Sequence, residues 1–185
     1  MELSQHAPAL TVPLSIGDHV LGPADAPAKL LEYGDYECPF CGEAYPNVIA
    51  LLDQLGDRIQ FAYRHFPIAS LHPHAFMAAE AAEAAGAQGQ FWAMHDLLFR
   101  NQDALELEDL VDYAQAVGLD VHRFEDELVT HRYAERVRRD FRGGIRSGVN
   151  GTPTLFMNGV RHNGGYDLGA LLAAVAPAAG LAPGW

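Results

Sequence analysis

Tyr33-Gly34-Asp35-Tyr36-Glu37-Cys38-Pro39-Phe40-Cys41 is the stretch that decides how the rest of the chain is read. Before it, Ala28-Lys29-Leu30-Leu31-Glu32-Tyr33 is a short apolar run set off by the turn Gly22-Pro23-Ala24-Asp25-Ala26-Pro27, which predicts a buried strand. After it, Phe40, Tyr45, Val48, Leu51, Leu52 and Leu55 recur at helical spacing up to Gly56. Pro39 suits a first helical position, where its missing N–H costs nothing. Cys38 therefore sits at a strand-to-helix junction, its sulfur over the positive end of the helix dipole, where a thiolate is stabilised. Cys41 lies one turn further in, able to attack a mixed disulfide formed at Cys38.

These are the chain's two cysteines. A disulfide across so short a loop removes little unfolded-state entropy, so cross-linking is a poor reason for the pair and redox chemistry a better one. Two alternatives stay open. One is a zinc site using Cys38 and Cys41 with His65, His72, His74 or His95, although His72-Pro73-His74 is spaced wrongly for a usual ligand pair. The other is a redox-sensing binding module without turnover. Neither a cofactor nor a metal is expected on the favoured reading.

The 185 residues are 49% hydrophobic with a net charge of −12, which describes a globular chain and disfavours nucleic acid as a partner. The densest basic run is Arg132, Arg136, Arg138, Arg139, Arg142 and Arg146, interleaved with Glu135 and Asp140, and predicts a solvated helix face. No basic, apolar leader is seen near the start and no stretch approaches the ~18 apolar residues of a membrane span. A cytoplasmic address is the expectation, or export if a leader has been removed.

Met1–Ser15 predicts an N-terminal arm. Arg58–Tyr63 alternates as a second strand, parallel to the first after the helical crossover. The next strand, Thr154–Met157, follows Pro153, with a hairpin signal at Asn158-Gly159, a return strand Val160–His162 and a last helix Leu168–Val175 capped by Asp167. Between lies a helical stretch of about four helices. The expected organisation is a core of residues 16–66 and 149–176, an inserted helical unit of residues 67–148, and a loose tail of residues 177–185.

The segment Tyr33–Cys41 resembles the active-site segment of DsbA-like members of the thioredoxin superfamily, and the resemblance runs from about Gly22 to Val175, including Gly151-Thr152-Pro153-Thr154. It implies an α/β thioredoxin fold with an inserted helical domain, and a protein disulfide oxidoreductase. Its partners would be protein or peptide thiols and disulfides, together with an electron donor or acceptor. It also implies a cis Pro153 facing the pair, leaving the Thr152 backbone beside Cys38, with Pro39, Phe40, Thr152 and Pro153 at the substrate-binding positions. Glu32 matches a buried acid suited to proton exchange with Cys41; its other reading is an edge-strand side chain facing water. Pro46 matches a structural helix proline. One departure is Phe40, where strongly oxidising relatives carry His, so a less stabilised Cys38 thiolate is expected. Tyr36, Phe40 and Phe66 are candidates for an apolar client rim, with packing preferred for Phe66.

Overall fold

Strand β2 (Ala28–Gly34) is buried along nearly its whole length, as the absence of alternation in Leu-Leu-Glu-Tyr requires of a strand covered on both faces. In the computed structural model, which describes residues 9–181, it is the central strand. Strand β3 (Ile59–His65) runs parallel on one side and β4 (Thr154–Met157) antiparallel on the other. Two short strands complete the five-stranded sheet, β1 (His19–Leu21) beside β3 and β5 (Val160–Arg161) beside β4, in the order β1-β3-β2-β4-β5. The β4–β5 hairpin turns at Asn158 and Gly159, both at positive φ (48° and 80°), as a two-residue turn compatible with strand twist demands. Strand β1 has no counterpart in the sequence reading; three residues are too few to show a period.

Helix α1 (Pro39–Leu55) buries Cys41, Ala44, Val48, Leu51 and Leu55, one stripe at helical spacing, and ends where Gly56 takes φ +50°. It packs on α7 (Leu168–Val175), whose first turn is capped by the Asp167 carboxylate accepting from the Ala170 N–H. Between β3 and β4 stand five helices rather than about four: α2 (Ala75–Gly86), α3 (Phe91–Arg100), α4 (Leu107–Ala116), α5 (Val121–Val129) and α6 (Ala134–Arg146). Helix α5 buries only Phe124 and Leu128, too thin a stripe to separate it by eye from α6, from which His131 at φ 51° divides it.

Strand alternation sends Leu30, Phe61, Tyr63 and Leu155 into a large core with α1, the inserted helices and α7. Leu31, Tyr33, Ala62 and Phe156 face a smaller one, closed by Phe66, Val149 and Phe141. Residues 9–15 of the arm are tied down: the Leu10 N–H donates to Gly159 O at 2.8 Å, and Arg64 donates to the carbonyls of Val12 and Pro13 at 2.7 and 2.8 Å. Ala178, Ala179 and Leu181 pack on the large core instead of hanging loose. The rest of the arm (1–8) and of the tail (182–185) lies outside the described residues. Among these, no helix is long and apolar enough to cross a membrane.

Candidate active site

The turn from β2 into α1 is built on Asp35. Its buried carboxylate accepts from the Glu37 N–H (2.9 Å) and the Ile68 N–H (2.8 Å) and pairs with His72 Nδ1 (2.7 Å), while its carbonyl accepts from the Cys38 N–H (3.2 Å). Cys38 is thereby held in extended conformation (φ −75°, ψ 121°) as the residue capping α1, with Pro39 the first helical residue. No side chain caps the helix there. Both thiols are free and buried. The Cys38 Sγ–H donates to the Thr152 carbonyl at 3.4 Å, and the Thr152–Pro153 peptide bond is cis. Cys38, Cys41, Thr152 and Pro153, distant in sequence, are thus brought to one place, with Phe40 beside them, 55% exposed.

The two thiols are driven apart in acidity. The hydrogen bond from the Cys41 thiol is the main influence lowering Cys38 to about 5, helped by the Thr152 side chain and the backbone N–H groups of Cys41 and Phe40 and opposed by burial. Cys41 is pushed well above the usual thiol range by burial, by its bond to Cys38 and by the charge of Glu32. Glu32 is raised to about 8, chiefly by burial and then by the Cys38 charge. It is not on an edge: in central β2 it sits between Tyr63 of β3 and Leu155 of β4, 3% exposed, with Oε1 lacking a partner among the described residues.

Three residues whose roles at this site the sequence does not reveal support this arrangement, His95 standing there only as a zinc-ligand alternative. Asp35 is one. Gln102, in the connection after α3, donates from Nε2 to the carbonyls of both Tyr36 and Cys38 at 2.9 Å. His95 of α3 bonds through Nδ1 to the Tyr36 hydroxyl at 3.0 Å, and burial lowers its pKa to about 3, keeping it neutral. Only a loop glutamine or a helical histidine marked them in the sequence, and neither pattern points to a partner far along the chain.

Tyr36 does not belong to an exposed rim. It is 1% exposed, stacked on Tyr63 (5.3 Å between centroids) and close to Phe99 (4.9 Å), because the turn at Asp35 aims it inward. Phe66 packs, as preferred, stacked on Phe141 at 4.4 Å. The proposed zinc set is not assembled. His72 pairs with Asp35, His74 with Glu37 and Glu106, and His65 with Glu83, while His95 is bonded to Tyr36. The group of described residues with the spacing to hold a metal ion, His65, Glu83 and Asp140, contains neither cysteine, and Arg136 already bridges its two carboxylates.

Comparison with known proteins agrees with this geometry. A family profile described as thioredoxin matches residues 14–176. Among solved structures, a thioredoxin-like oxidoreductase from Silicibacter pomeroyi is 27% identical with a TM-score of 0.78, over 91% of this chain and 95% of that one. BdbD from Bacillus subtilis is 21% identical at a TM-score of 0.80 over 95% and 97%, and α-DsbA1 from Wolbachia pipientis 22% at 0.78 over 92% and 94%. Curated relatives carry another name. The Na(+)/H(+) antiporter NhaA 1 of Salinispora arenicola is 50% identical over 161 residues, 87% of this chain but 24% of that protein. NhaA 1 of Mycobacterium sp. strain KMS is 44% identical over 85% and 26%. The chain therefore spans about a quarter of the length of these curated relatives. With the profile covering most of its length, the chain belongs to the thioredoxin family, and the helices standing between β3 and β4 give it a DsbA-like fold.

Proposed function

We propose that the chain is a thiol–disulfide oxidoreductase acting on protein substrates, with Cys38 as nucleophile and Cys41 as resolving thiol. The observation that carries this is the asymmetry of the pair: one sulfur at the head of α1 beside the Thr152 carbonyl with its acidity enhanced, the other buried behind it with its acidity suppressed. Above pH 5 Cys38 is largely thiolate. It attacks one sulfur of a client disulfide; a Cys38–client S–S bond forms, the client S–S bond breaks, and the second client sulfur leaves with the electron pair and takes a proton. Cys41 then gives its proton to the ionised fraction of Glu32, which is minor at neutral pH and predominates above pH 8, and attacks Cys38 Sγ. The Cys38–Cys41 disulfide forms, the first client thiolate departs, and the client is reduced by two electrons as the chain is oxidised. Run backward, the same steps oxidise a client dithiol.

Pro39, Phe40, Thr152 and Pro153 form the client-facing surface in this proposal. The exposed Phe40 ring supplies apolar contact, and the Thr152 backbone offers pairing to an extended client segment. Turnover of insulin disulfides with a thiol reductant tests the reading: a sustained rate lost in Cys38→Ser supports it, and a single stoichiometric change with no sustained rate contradicts it. That second outcome belongs to a redox-sensing module. One observation favours it: the relatives named as antiporters contain the matched segment as about a quarter of a longer chain.

A further inference from the structure

The arginine run of α6 is not one uniform solvated face. Arg136 is drawn inward, its Nε on Glu83 Oε1 at 3.1 Å and a terminal nitrogen on Asp140 at 2.7 Å. Arg138 lies over the Phe76 ring, and Arg142 pairs with Glu135. Arg139 and Arg146 are different: both are exposed, seven residues apart on one side of the helix, and neither has an ion pair or side-chain hydrogen bond to another described residue. Both line a cavity of about 230 Å³ between α6 and the N-terminal arm.

The charges that face this cavity do not cancel. Its two carboxylates are already matched: Asp18 is held by Arg64 through two bonds of 2.7 and 2.9 Å, and Asp140 by Arg136. Those four groups sum to zero, which leaves the guanidiniums of Arg139 and Arg146 as a net charge of +2 in a chain of net charge −12. Tyr33 also lines the cavity. Its fully buried ring carries a hydroxyl that accepts from Arg64 at 3.0 Å, while the hydroxyl proton has no acceptor among the described residues. Gly143 keeps the approach open, since a Cβ there would stand 3.4 Å from that oxygen.

We infer that this cavity is a binding site for a phosphate-class oxyanion. Two guanidinium forks match a tetrahedral dianion in charge and in hydrogen-bonding geometry, and the Tyr33 hydroxyl is a third donor at the cavity floor. Tyr33 and Glu32 are adjacent in β2 and point to opposite faces of the sheet, so the site lies on the other face from Cys41 and is separate from the thiol chemistry. The phosphate can come free in solution or on a lipid headgroup.

Calorimetric titration with inorganic phosphate, at ionic strength held constant with chloride, tests the site. Vesicles of phosphatidylglycerol and of phosphatidylcholine form the second arm. Saturable one-to-one phosphate binding is expected, weakened about tenfold or more in Arg139→Gln/Arg146→Gln and severalfold in Tyr33→Phe. Both arginines are exposed and lack side-chain partners among the described residues, so the double variant is expected to melt like the parent and retain its insulin turnover. Binding to phosphatidylglycerol alone, lost in the double variant, would assign the phosphate to a headgroup. No binding in either arm, or binding that the double variant leaves unchanged, overturns the inference.

Discussion

Glu32 is a single carboxyl of the core whose burial has a consequence for stability. Its carboxyl is raised to about 8, so between its ordinary value near 4.5 and 8 the folded chain keeps a proton that the unfolded chain has lost. Its contribution to stability is therefore fully present below about pH 4.5 and is lost as pH rises through 8. Glu32→Gln, which is neutral at every pH, is expected to match the parent at pH 5 and exceed its stability above pH 8 by a few kcal/mol, since each tenfold change in acidity is worth about 1.4 kcal/mol. Urea unfolding at the two pH values checks this; equal stabilities at both would contradict the burial argument. The same variant is expected to slow resolution of the mixed disulfide, since Cys41 then lacks its proton acceptor.

Gln102 acts on Cys38 at a distance, through the Tyr36 and Cys38 carbonyls that its amide bridges. Gln102→Met keeps the bulk and removes both donors. A stability loss of about 1–2 kcal/mol is expected, together with an upward shift of the Cys38 titration, followed by thiolate absorbance. A change in melting with no change in that titration would make Gln102 a packing residue only.

At the scale of elements, α6 shows why side-chain patterns give a helix but not its fit. Arg138, Arg139, Arg142 and Arg146 mark its exposed side, and Val137 and Phe141 its buried side. What brings it against the sheet is Gly143-Gly144, a pair that reads in sequence as a helix weakness. A Cβ on Gly144 would lie 2.6 Å from the Phe66 ring and 3.1 Å from Tyr33. Gly144→Ala gains up to about 1 kcal/mol of helix propensity, yet overpacking at this contact costs about 1–3 kcal/mol. A net loss in urea unfolding is the expected result; a stabilised variant would show that α6 can retreat freely.

The elements of the core were legible for a related reason. An apolar run bounded by turns gave β2, and one stripe at helical spacing gave α1; each signal is local and long enough to see. Strand β1 and helix α5 fell below that length. Cys38, Cys41, Pro39 and Phe40 were legible because they are neighbours in sequence. Thr152, Pro153 and the burial of Glu32 were carried by resemblance, and Gln102, Asp35 and His95 by no signal, because their roles exist only through pairings made after folding.

Across the whole molecule, one ion cluster fastens the inserted helices to the sheet. Glu83 of α2 meets His19 of β1 (3.0 Å), His65 of β3 (2.9 Å) and Arg136 of α6 (3.1 Å). Although burial opposes ionisation, the bonds from His19 and His65 hold this carboxyl well below its usual range. Its stabilisation is thus present above about pH 4.5 and is lost as pH falls below that toward the depressed folded value. Glu83→Gln is expected to cost about 3 kcal/mol at pH 7 and to flatten the acid-unfolding curve below pH 4.5. An unchanged acid limb would place the pH sensitivity elsewhere.

The division of labour between the two thiols is tested most directly by trapping. Cys41→Ser, mixed with a disulfide-bonded peptide and analysed by intact mass, is expected to accumulate a one-to-one covalent adduct through Cys38, released by reductant. Cys38→Ser is expected to form none, with Cys41 buried and its thiol suppressed. An adduct on Cys41 in the Cys38→Ser protein, or none on Cys38 in the Cys41→Ser protein, would contradict the account.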